Sequence, residues 1–135
     1  KTIIISSIPS AGQLPGYYKF AAALKLYKVV PIALIKSAVV LKRLFTTESR
    51  EDKEILLQMT KDIDPHFIRW ALGAILYWKN NEVPGTVYHI HGEHDRLLPL
   101  RYTRPSYVIH KAGHLMVVNK AGEISRIMKE ILSSN

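Results

Sequence analysis

The sequence predicts an α/β fold: three strands of parallel type, with a block of helices inserted after the first strand. Three observations carry this. Residues 2–8 (TIIISSI) are β-branched and almost continuously apolar, the pattern of a strand buried on both faces, as in parallel sheets. Two later apolar-leaning runs, 87–91 (VYHIH) and 106–110 (SYVIH), each stop at a glycine-bearing turn. Between the first and second runs, residues 13–81 space their apolar side chains at helical intervals.

Taken in order, the first strand is closed by Pro9, Ser10, Ala11 and Gly12. A helix is expected over 17–27, with Phe20, Ala23, Leu24 and Tyr27 as its stripe. Pro31 restarts the chain in a second helix that runs through Ile35, Val39 and Leu41 to Phe45. Ser49 is a serine N-cap with Glu51 and Asp52 in the first turn, opening a third helix to Lys61 with Ile55, Leu56 and Met59 on one side. Asp64-Pro65 repeats the start signal for a fourth, through Phe67, Trp70, Ala71, Ala74 and Tyr77, which the stretch from Asn80 through Pro84 to Gly85 ends. Trp70, Trp78 and the tyrosines are expected in the core. Residues 100–105 leave room only for a short loop before the last strand. A final helix from Gly122 or Glu123 to Leu132 presents Ile124, Ile127, Met128 and Ile131. The expected division is a core of residues 1–12 and 82–135, with 13–81 as a separate helical unit.

At 135 residues the chain suits one domain, and its 47% apolar and 22% charged composition is globular. It has no cysteine, which removes disulfides, a thiolate nucleophile and a thiolate metal site. The net charge of +8 is scattered rather than clustered with aromatics, so a solvated basic surface is expected and no nucleic-acid partner. Lys19, Lys25, Lys28, Lys36 and Lys42 interrupt any apolar helix of membrane-spanning length, so no stable span is expected. A basic amphipathic helix lying on a membrane surface is the alternative to a packed helical block. No signal peptide is visible, a cytoplasmic location is expected, and the opening at Lys1 reads as a chain entered in the middle.

Two turns carry the chemistry. Asp95 follows the 87–91 run by a few residues, and His114 follows the turn after 106–110. A carboxylate and an imidazole just past strand C-termini stand where sites form in open parallel sheets. The run His91-Gly92-Glu93-His94-Asp95-Arg96-Leu97-Leu98-Pro99 resembles the acid turn of the α/β-hydrolase fold, H-G-x-x-D-x-x-x-P, and Ala112-Gly113-His114 resembles that family's histidine turn. The order acid before histidine also agrees.

The resemblance implies the last three parallel strands of an α/β-hydrolase sheet, with residues 13–81 as a helical cap. It implies Asp95 and His114 as the acid and histidine of a hydrolase acting on an ester or other small acyl substrate. Leu97, Leu115 and Met116 adjoin them as candidate substrate-lining residues, and no cofactor is implied. One departure is the 100–105 loop, where the family usually has a full helix. The other is the nucleophile: no G-x-S-x-G occurs, and Ile8-Pro9-Ser10-Ala11-Gly12 lacks the first glycine. The full protein is therefore expected to take its nucleophile from an upstream segment, and this chain alone is expected to be inactive. The alternatives are a non-catalytic truncated relative, or a zinc hydrolase using His89, His91 and His94 of an H-x-H-x-E-H run. The first strand, if left without a neighbour on one side, is expected to self-associate or to pair with an N-terminal fragment.

Overall fold

A computed structural model describes residues 1–46, 49–83 and 85–134. Three parallel strands, β1 (Thr2–Ile5), β2 (Val87–Gly92) and β3 (Tyr107–Ile109), form one sheet in the order β1-β2-β3. Thr2 pairs with Val87 and Ile5 with Ile90, while Ile90 in turn pairs with Tyr107 and Gly92 with Ile109. β1 is shorter than the 2–8 apolar run. Ser6 turns into the left-handed region at φ 47°, and its N–H makes a last bond to the Ile90 carbonyl at 3.1 Å. Ile8 then packs as a buried residue outside the strand.

The core lies between the sheet and the C-terminal helix. Ile90, Ile109, Ala112 and Met116 are sealed from solvent and pack with Ile124, Ile127 and Ile131 of α8 (Ala121–Ser133). The spacing i, i+3, i+7 puts those three isoleucines on one face of α8, and each contributes about 1.5–3 kcal/mol by leaving water. A one-turn helix, α7 (Met116–Asn119), precedes α8 and has no counterpart in the sequence reading.

Where four helices are expected between β1 and β2, the described residues form six: α1 (Gly16–Ala23), α2 (Leu26–Val29), α3 (Ile32–Ile35), α4 (Ala38–Phe45), α5 (Arg50–Asp62) and α6 (Pro65–Leu76). The 17–27 helix breaks at Lys25, which is left-handed at φ 52°. The helix from Pro31 breaks where the Ser37 hydroxyl caps α4 by accepting from the Val40 N–H, and where the Lys36 ammonium donates to the carbonyls of Lys61 and Ile63 at the end of α5. The two starts read from caps hold. Ser49 and Asp52 form a reciprocal capping box on α5, and the Asp64 carboxylate accepts from His66 N (2.7 Å) and Phe67 N (3.0 Å) with Pro65 at the first turn of α6. Pro84, within the expected terminator of α6, lies outside the described residues.

α6 is the post against which α1, α2 and α3 stand. Arg69 donates to the Tyr27 carbonyl, the Tyr77 hydroxyl donates to the Ala22 carbonyl, and Gly73 lies under the Tyr27 ring. Only part of the stripe read on α6 faces away from those contacts: Phe67 and Trp70 pair with each other at 5.6 Å and stay exposed, as does Trp78, whereas Tyr77 of the same stripe makes one of them. The partly buried side is Ile68, Leu72 and Leu76 instead. Among the described residues, no helix is long and apolar enough to cross a membrane.

What positions the site is the meeting of two turns at the C-terminal ends of β2 and β3. The Glu93 N–H donates to the Ile109 carbonyl at 3.1 Å and the His94 N–H to the Ala112 carbonyl at 2.8 Å. Gly92 makes this possible, because a Cβ there would stand 2.5 Å from the Ala112 oxygen. Gly92→Ala is expected to force the turns apart and to cost about 1–3 kcal/mol, as overpacking does. Urea unfolding would read this as a lower midpoint at constant m-value, and an unchanged midpoint would contradict the close approach.

Candidate active site

The acid turn is built around one carboxylate. Asp95, 3% exposed, donates its N–H back to the Gly92 carbonyl at 3.2 Å, which tightens the turn. Its Oδ1 accepts the N–H groups of Leu97 and Leu98, both at 2.9 Å, the local bonding that makes aspartate a turn residue. Its Oδ2 is left for His114 Nδ1 at 2.8 Å. A carboxylate of this kind only accepts, so the proton sits on His114 Nδ1 and the bare nitrogen is Nε2. The His114 side chain is 24% exposed, and the edge-to-face ring of Phe45, 5.5 Å away, limits its rotation.

The helical block clamps this pair from both of its flanks. From α1, the Tyr18 hydroxyl donates to the Leu97 carbonyl at 2.9 Å. From the end of α4, the Thr46 hydroxyl donates to the His94 carbonyl at 3.3 Å, and Thr46 and the Phe45 carbonyl crowd Gly113 so closely that a Cβ there would meet Thr46 at 2.6 Å. Burial, then Tyr17 and the Asp95 charge, push the Tyr18 phenol up to about 12, so it remains a neutral donor. Tyr17 is raised as well, first by burial and then by Tyr102.

At the surface, Glu93 staples the two turns: its carboxylate accepts from Lys111 N at 3.0 Å and faces His110 Nδ1 at 2.6 Å. The Lys111 N–H is the main cause that holds the Glu93 carboxyl below its usual range.

Of the residues read as substrate-lining, Leu97 and Leu115 lie part-buried on the turns beside the pair. Met116 does not line a surface: it is fully buried in the core with Ile90 and Ile109, because α7 turns it inward. The zinc set also fails to assemble. His89 Nε2 and His91 Nδ1 face each other at 3.1 Å inside the sheet, whereas His94 is exposed beside Glu93. Among the described residues, no group of three or more histidine, cysteine or acidic side chains is arranged to hold a metal ion. A cavity of about 460 Å³ is lined by Thr2 and Ile4 of β1, Val87 of β2, Ile8, Trp78 and Val83, and it does not include the pair.

Neither a protein-family model nor a curated protein sequence matches the chain. Solved structures do. A thermophilic esterase from Thermogutta terrifontis, solved with malate bound, is 17% identical with a TM-score of 0.63, covering 96% of this chain and 54% of its own. A meta-cleavage product hydrolase from Pseudomonas fluorescens IP01, solved as a serine-to-alanine variant with acetates, is 13% identical with a TM-score of 0.53 and the same coverage. At such identity the likeness establishes the fold: this chain has the α/β-hydrolase fold, with three parallel strands of its sheet. It spans about half the length of the structures it matches.

His89 gives the site a pH signature. Burial, with the neighbouring His91 next, lowers its value from 6.5 to about 4 against a weaker upward pull from the Ser7 backbone. Between those limits the unfolded chain binds a proton that the folded chain refuses. The stabilisation is whole above about pH 6.5 and falls as pH drops through the window, by up to about 1.4 kcal/mol per pH unit. Urea midpoints measured from pH 7 to 4 should show this slope in the natural chain and a shallower one in His89→Gln; parallel slopes would refute it.

Proposed function

We propose that this chain is the acid- and histidine-bearing part of an α/β-hydrolase that acts on an ester or other small acyl substrate. Residues 1–12 and 82–135 are its partial core and 13–81 its cap. The observation that carries the reading is the 2.8 Å bond between the Asp95 carboxylate and His114 Nδ1 at the ends of adjacent parallel strands.

In this reading Asp95 fixes the tautomer of His114 and stabilises the imidazolium that forms. His114 Nε2 takes the proton from the nucleophile as it attacks the acyl carbon, then gives it to the departing alkoxide. Water repeats the exchange to release the acid. The nucleophile and the oxyanion donors come from a segment outside this sequence, since no residue here stands in a G-x-S-x-G turn. That segment would supply the strand beside β1, whose outer edge has no partner among the described residues. Self-association through the same edge is the expected behaviour of the chain alone.

Joined to its upstream segment, the protein should hydrolyse p-nitrophenyl esters and take up a fluorophosphonate on one serine. Asp95→Asn and His114→Ala should each lower kcat by about 10³–10⁴-fold and slow labelling in step. The 135-residue chain alone should hydrolyse nothing above background. Labelling at full rate in both variants would remove Asp95 and His114 from these roles.

A further inference from the structure

We propose that His91 is a positioning residue for the acid: a neutral imidazole, held in one tautomer by His89, that keeps the Asp95 turn closed so that one carboxylate oxygen stays reserved for His114. This rests on the reading of Asp95 and His114 as the catalytic pair.

His91 is 0% exposed, so both ring nitrogens must be satisfied within the protein. Nε2 lies 2.7 Å from the Leu98 carbonyl, and a carbonyl only accepts, so the proton sits on Nε2. In a neutral ring Nδ1 is then bare and must accept, and the atom opposite it is His89 Nε2 at 3.1 Å. His89 therefore carries its own proton on Nε2, which leaves its Nδ1 bare, and no hydrogen-bond donor among the described residues faces that atom. Burial keeps His89 neutral, with a value of about 4. The two imidazoles thus form a one-way line of donors, His89 to His91 to Leu98.

Leu98 is where that line meets the acid. Its carbonyl takes the His91 N–H, and its own N–H goes to Asp95 Oδ1. The turn from Asp95 to Leu98 is tied at one end through β2 and at the other by a side chain of the same strand. His91 Nε2 stands 3.6 Å from Asp95 Oδ2, beyond hydrogen-bonding distance. The imidazole closes the turn without competing for the oxygen that orients His114. Without the N–H of His91, the Leu98 carbonyl is left unsatisfied beside a buried carboxylate, and the turn loses its tie to the sheet.

Long-range ¹H–¹⁵N spectra of the 135-residue chain test this directly. At neutral pH, His89 and His91 should each appear as a single neutral Nε2–H tautomer, and His114 as the Nδ1–H tautomer with a downfield, slowly exchanging proton. His91→Phe should mix the His114 tautomers and speed exchange of that proton about tenfold or more, as local opening becomes easier. His91→Gln, whose amide can reach the same carbonyl, should restore the slow signal. An Nδ1–H tautomer for His91, an unchanged His114 signal in folded His91→Phe, or a Gln variant that behaves like Phe would each overturn the proposal. If the Phe variant does not fold, the natural chain's tautomers and the Gln variant decide. These signals read the pair whether or not an enzyme results, so a protein that never labels with fluorophosphonate would end the hydrolase reading and leave this one standing.

Discussion

A carboxylate sealed from water needs hydrogen bonds or a counter-charge, and the way Asp95 obtains them dictates much of the surrounding architecture. Two of its partners are backbone N–H groups two and three residues further on, which bends the chain into a tight turn. The third is an imidazole on the turn after the next strand, which requires β2 and β3 to be parallel neighbours ending at one level. Gly92 then has to be a glycine, because the turns can reach each other only if the chain beside Ala112 lacks a side chain. One desolvated charge thereby constrains a strand pairing, two turns and a residue identity.

The helical block serves the same arrangement from outside. Its first and fourth helices touch the acid and histidine turns through Tyr18, Thr46 and Phe45, while α5 and α6 keep them in place. The Asp52 carboxylate of the α5 capping box also accepts from Asn119 at the end of α7, joining the block to the core beyond the site. Phe45 against His114 is thus the inner end of a continuous path of packed helices.

Asp95 and His114 were legible because each follows an apolar run and a glycine-bearing turn, signals that lie within a few residues of the side chain concerned. The starts of α5 and α6 were legible for the same reason: Ser49 and Asp64 bond to N–H groups of the next turn. The breaks at Lys25 and at Lys36-Ser37 were not, since nothing local makes a lysine left-handed or sends its ammonium to the end of another helix. Periodicity located the helical stripe on α6 but not which way it faces, and adjacency to His114 under the family resemblance placed Met116 at the site although α7 carries it into the core. The roles of His89 and His91 depend on which nitrogen faces which neighbour, and spacing along a strand does not contain that.

The parallel pairing of β1 with β2 also sets an order of assembly. β2 and β3 are joined by a short connection and share a core with the adjacent α8, so their contacts close small loops. β1 reaches β2 only across the whole helical block, and the entropy of that closure must be met before any of its hydrogen bonds form. The chain therefore condenses from its C-terminal side, around Ile90, Ile109 and Ile127, and β1 is the last strand to dock. During synthesis β1 is made before the helical block and waits for β2 until that block is complete, which leaves this apolar segment in need of shelter from other nascent chains.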